Sequence, residues 1–152
     1  GSTVGSARRT ATNSGAGRWN AVAVPGTFTA WSSGKPVNVA ITEWSAADTY
    51  EAVTSFSCSS GLYTSNKTTI TWNSPSPGGI GSNTTALRMV ATHEFGHAYG
   101  LNHMSTTCNG TKTVMVQGKT KWSCSWGTEP WQDDIHGVDA IYRGDEGKRV
   151  MG

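Results

Sequence analysis

Apolar residues alternate with polar ones in three parts of this chain and recur at helical spacing in three others. Loops rich in Gly, Ser and Pro separate them. Residues 37–44, "VNVAITEW", put Val37, Val39 and Ile41 on one side, as a half-buried strand does. Residues 52–58, "AVTSFSC", alternate with Phe56 and Cys58 on a shared face, and residues 67–73, "KTTITWN", with Ile70 and Trp72. A helix is predicted over residues 7–22 from Ala7, Ala11, Trp19 and Val22, although Asn13, Gly15 and Gly17 weaken it. After the loop "SPSPGGIGSN", residues 74–83, a strong helix runs from about Thr84 to Tyr99. Thr84 or Thr85 can cap it, and Gly96 is its one interior breaker. Residues 104–130 read as irregular. "PWQDDIHGVDAIYR" then forms a last helix, with Trp131, Ile135, Val138 and Tyr142 as its apolar stripe. Pro130, Asp133 and Asp134 suit its N-terminus. Strands first and helices later predict an α+β layout.

Composition narrows the field. A chain of 152 residues suits one domain, 1–152. Low charge (14%), 19 glycines and 7 tryptophans fit a folded, loop-rich domain rather than a disordered tail. Net charge is +2, and no basic run exceeds Arg8-Arg9 or the nearby pair Lys119 and Lys121, so no nucleic-acid footprint is expected. No apolar run approaches the roughly 20 residues of a membrane span. No charged-then-apolar leader opens the chain, which a mature secreted chain would lack as well. Cys58, Cys108 and Cys124 form no Cys-x-x-Cys pair, which argues against a thiolate zinc site. One disulfide and one leftover cysteine are expected.

The candidate chemistry lies in "ATHEFGHAYGLNH", residues 91–103, which holds three of the four histidines. His93 and His97 stand four apart on the strong helix, nearly in line on one face, so both rings can reach one ion. Gly100 is suited to end the helix in a left-handed conformation and let the chain swing His103 in as third ligand. Three protein ligands leave a position open for water, the arrangement of a catalytic zinc. Glu94 projects about 100° from His93, beside the ion without binding it. There it can take a proton from the activated water as general base and pass it to a leaving amine. A lone histidine on such a face is usually core packing, but five residues fixed as His-Glu-x-x-His-x-x-Gly-x-x-His are hard to reach by chance.

"HEFGHAYGLNH" resembles the extended zinc-binding motif of the metzincin metallopeptidases. "WQDDIHGVDAIY" is similar to the last helix of their matrixin branch, so the likeness spans at least residues 84–143. The resemblance implies a zincin-like fold, with a twisted mixed sheet, a long active-site helix and a zinc cleft. An upper subdomain over residues 1–103 would be followed by a lower one over 104–152. It implies a secreted zinc endopeptidase with one catalytic Zn2+, held by His93, His97 and His103, and with Glu94 as base. Met115, in "TKTVMVQG", would supply the methionine turn beneath the imidazoles. An edge strand, taken as 67–73, would bind an extended polypeptide by strand addition. Trp122, Trp126 and Trp131 would lie where the family walls its pocket, and core packing competes with that role.

The chain departs from the family in places. Only His136 remains outside the motif, too little for the second, structural zinc of vertebrate matrixins. Acidic calcium loops are not evident, so Ca2+ is possible but unsupported. Residues 1–6 are too short and polar for the strand that usually precedes the first helix. Cys108 and Cys124 bracket Met115, and a disulfide there would contribute about 3 kcal/mol on the chain-entropy model. Cys58 is then either a small buried residue or the partner of a cysteine in a removed upstream strand or pro-segment. Asp133 and Asp134 can cap the last helix, and the resemblance implies that they can also hydrogen-bond the methionine-turn backbone or a processed N-terminal ammonium. Asn66, Asn83 and Asn109 sit in glycosylation sequons. A monomer is expected. Rival readings are a non-catalytic zinc-containing peptide-binding domain and a zinc hydrolase acting on something other than protein.

Overall fold

Two helices cross at a glycine, and that crossing sets the frame for everything below it. The computed structural model describes residues 4–34, 37–44, 50–56, 58–59, 62–63, 68–74, 76 and 79–142, with backbone only at 58–59 and 62–63. α1 (Ser6–Asn20) packs along α2 (Thr84–Ala98). A Cβ built on Gly15 would lie 2.7 Å from Ala91 Cβ and 2.8–2.9 Å from the backbone of Ala91 and Thr92. The glycine that weakens α1 as a sequence is therefore what lets the helices touch. One turn on, fully buried Trp19 donates its indole N–H to the Thr92 carbonyl at 2.8 Å. The chain after α1 folds back so that Phe28 packs on Phe95 and Tyr99, with ring centroids 4.6 and 4.8 Å apart.

β1 (Val39–Trp44), β2 (Ala52–Ser55) and β5 (Thr68–Asn73) form a mixed sheet in the order β1-β5-β2. β5 runs parallel to β1 and antiparallel to β2. Thr68, Ile70 and Trp72 turn one face of β5 inward, as their alternation predicts. β3 (Cys58–Ser59) and β4 (Leu62–Tyr63) make a separate antiparallel pair. The α+β expectation holds, but the edge-strand expectation does not. Residues 67–73 are taken as the edge, whereas β5 is hydrogen-bonded on both sides. Periodicity reports which face of a strand is buried and is silent on which neighbours it acquires. β2, at the edge of this sheet, is the strand that lines the cleft.

α2 is capped by Asn83, whose Oδ1 accepts from Ala86 N–H at 3.0 Å, rather than by Thr84 or Thr85. It stops at Gly100, whose φ of 101° only glycine adopts readily. Residues 104–130 are mostly irregular, apart from α3 (Thr120–Ser123), and a disulfide joins Cys108 to Cys124 across them. α4 (Gln132–Tyr142) buries Val138 fully against the core, while Tyr142 at the end of the stripe is exposed. The side chain of Cys58, all of Asn66 and residues 1–3 lie outside the described residues, and with them the expectations for that thiol and for a first strand.

The Gly15 crossing yields a paired test. Gly15→Ala is expected to lower stability by about 1–3 kcal/mol through overpacking against α2 backbone. Gly17→Ala, whose added methyl would meet nothing within 4 Å, should be neutral or stabilise by up to about 1 kcal/mol. Chemical denaturation of both variants checks this, and equal effects would contradict the close approach.

Candidate metal centre

α2 sets the first two imidazoles and the chain reversal at Gly100 delivers the third. The Nε2 atoms of His93, His97 and His103 lie 3.2 Å (93–97), 3.1 Å (97–103) and 3.2 Å (93–103) apart. Two backbone carbonyls fix the tautomers. His93 Nδ1 lies 2.7 Å from the Val114 carbonyl and His97 Nδ1 lies 2.7 Å from the Leu101 carbonyl. A carbonyl only accepts, so each Nδ1 carries the hydrogen and each Nε2 presents a lone pair to the centre. Lone pairs facing one another at this distance repel unless a cation lies between them. A tetrahedral zinc at roughly 2.0–2.1 Å from each nitrogen would hold its ligand atoms about 3.3–3.4 Å apart, close to the spacing here. The donor set thus fits zinc: three neutral nitrogens, two of them oriented by outer carbonyls.

The rings are kept neutral by their surroundings. Burial pushes the His93 imidazole well below its ordinary range, and Lys121 and the neighbouring His97 push it the same way, against the Val114 hydrogen bond. Burial likewise lowers His97, and it lowers the more exposed His103 with help from Lys121.

The turn around Met115 carries the Val114 carbonyl that orients His93. Buried Asp134 accepts from Thr113 Oγ1, from Val114 N–H at 3.0 Å and from Trp131 N–H at 2.8 Å. One carboxylate therefore caps α4 and pins the residue whose carbonyl orients His93. Asp133 is exposed and accepts none of these three bonds. Met104, next to His103, donates its N–H to the Met115 carbonyl at 2.9 Å and pairs with Val116 in a parallel bridge. Met115 is buried under α2, and a Cβ on Gly96 would collide with its sulfur. Gly96, read from sequence as a helix weakness, is where the methionine closes on the helix.

Glu94 is buried beside the imidazoles. Burial raises its carboxyl to about 7, although the Thr54 hydrogen bond and the charge of Lys121 draw it down. Thr54 Oγ1 on β2 donates to Glu94 Oε2 and also approaches the Glu94 carbonyl at 3.1 Å. Nothing in the sequence around Thr54 or Lys121 marks either as a site residue; only the fold brings them there. These groups open on a cleft of about 1030 Å3, walled by β2 and by α2. Of the three tryptophans placed near this wall, Trp122 lines the cleft, Trp126 is buried, and Trp131 packs on the core under Lys112, whose Nζ lies 4.6 Å from its ring centroid. His136 is exposed on α4 within 2.8 Å of Gln132 Nε2, away from the centre.

The sequence profile of the matrixin family matches residues 29–143, most of the chain. A search of curated proteins finds no match. No described helix is long and apolar enough to cross a membrane.

Asp134→Ala removes the acceptor for two buried N–H groups and a hydroxyl. It is expected to destabilise the chain by on the order of 3 kcal/mol, measured by denaturant unfolding. Asp133→Ala should change stability by less than about 1 kcal/mol. Equal losses from the two would show that Asp134 acts only as a helix-end charge.

Proposed function

This chain belongs to the matrixin family, zinc-dependent endopeptidases, and from that membership and the geometry above we infer that it is a secreted enzyme cleaving peptide bonds within polypeptides. The observation that carries this reading is the convergence of three imidazole Nε2 atoms beside a buried carboxylate, all opening on one cleft. The Cys108–Cys124 disulfide supports an oxidising compartment.

His93, His97 and His103 are the residues that would hold zinc. When bound, the ion supplies Lewis acidity towards a substrate carbonyl and towards water. The chain's own residues do the rest. β2 offers its edge to an extended peptide, which places a scissile carbonyl over the histidines. Glu94, through a carboxylate oxygen, accepts the proton of the attacking water and returns it to the departing amine nitrogen. Burial, which favours the protonated carboxyl, helps this side chain hold the proton between the two transfers. Thr54 steadies that carboxylate by hydrogen bonding to Oε2. Met115, packed against Gly96 and away from solvent, serves as a hydrophobic floor rather than a ligand.

Glu94→Gln keeps the shape of the side chain but removes the base. This variant is expected to retain zinc while kcat falls by roughly 10²–10⁴-fold on a mixed peptide library. Undiminished turnover would overturn the role of Glu94. Loss of zinc together with turnover would make Glu94 part of the binding site instead. The same library, with and without a chelator, separates this reading from a zinc protein that binds peptides without cutting them.

A further inference from the structure

Lys121 lies in α3, yet its side chain is only 7% exposed. It turns inward and donates from Nζ to the carbonyls of Val116 at 3.1 Å and Gly118 at 3.3 Å, in the loop just after Met115. An ammonium has three N–H groups, and these bonds employ two. Lys121 forms no ion pair with a carboxylate among the described residues, whose ion pairs are Arg8–Glu43 and Arg18–Glu129. The acidic group whose charge acts on it is Glu94, and that carboxylate is engaged by Thr54. A buried ammonium whose hydrogen bonds go only to carbonyls is expensive to maintain even with the Glu94 charge favouring it, and a carboxylate brought to it gains a charge-assisted hydrogen bond. Lys121 lines the cleft, as do the apolar side chains of Met89, Val90 and Trp122. Those apolar groups can cover the methylenes of a side chain whose acidic end reaches Nζ.

We propose that Lys121 is a specificity-determining residue, whose ammonium receives a carboxylate of the bound peptide and directs cleavage to bonds beside an acidic residue. This rests on the endopeptidase reading and adds the substrate class to it. An aromatic wall built from Trp122, Trp126 and Trp131 would favour bulky apolar side chains; the cleft instead presents one exposed tryptophan next to a buried cation.

The test uses the full zinc-loaded chain and internally quenched peptides that differ at one position. Glu, Gln and Leu are compared at each of four sites on either side of the bond, with free and amidated C-termini. At one site, Glu should exceed Gln in kcat/KM by at least tenfold in the wild type. Lys121→Met should level the two, Lys121→Arg should keep the preference, and Lys121→Glu should invert it. Preference for a free over an amidated C-terminus, with no preference at internal sites, would assign the carboxylate to the chain end and overturn cleavage beside an acidic side chain. Equal wild-type rates for Glu and Gln at every site would overturn the proposal while leaving the peptidase reading intact. So would a Lys121→Met variant that slows both peptides alike, because that is the mark of a loop-holding role. If no peptide is cleaved, the peptidase reading fails, and tryptophan fluorescence titrations with the same peptides still decide the matter. Tighter binding of Glu than Gln peptides, lost in Lys121→Met, would support the cation's role; equal binding would overturn it.

Discussion

The structure turns on two carbonyl oxygens. By accepting from Nδ1 of His93 and His97, the Val114 and Leu101 carbonyls oblige both rings to aim unprotonated Nε2 atoms at one point. His103 aims at the same point from the far side of the helix end. Such an arrangement is unfavourable by itself, since the rings are partly desolvated and their lone pairs oppose one another. It becomes favourable when a cation fills the centre, and the separations suit a small tetrahedral ion. Much of the remaining architecture serves to keep those carbonyls where they are.

Each support has a physical job. Gly100 permits the reversal that brings both Leu101 and His103 into position, because its backbone takes a conformation other residues resist. Asp134 fastens the far turn, so that the Val114 carbonyl faces His93 while the same carboxylate closes the end of α4. Gly96 admits Met115 and Gly15 admits the backbone of α2, and both bring the layers closer than any side chain would allow. Around the centre the cleft is not uniformly apolar. Glu94 and Lys121 are both buried there with opposite charges, one raised and the other lowered by burial, and each field partly offsets the other's loss of solvent. Both groups line the space a substrate would enter.

What could be read without coordinates was whatever depends on neighbours in sequence. The histidine spacing, the stop at Gly100, the alternation in 68–73 and the stripe of the last helix are all local, and the structure brings His93, His97 and His103 together as that spacing implies. Met115 as the methionine of the turn came from resemblance, whereas the Cys108–Cys124 bridge came from the cysteine count and the way the two bracket Met115. What could not be read depends on residues far apart in the chain. Strand order is one such case: β5 looks no different from an edge strand until β1 and β2 pair with it. Gly15 and Gly96 register as helix weaknesses because propensity counts entropy and sees no neighbour across the interface. Thr54 and Lys121 carry no spacing signal at all, since forty residues separate Thr54 from Glu94 and one fold alone makes them adjacent.

X-ray absorption at the zinc edge, combined with metal analysis of purified chain, puts the three-imidazole centre to the test. One zinc per chain with three nitrogen neighbours at roughly 2.0–2.1 Å and a further light-atom ligand is the expected result. Chain that takes up no stoichiometric metal, or a zinc shell containing sulfur or fewer than three imidazoles, would contradict it.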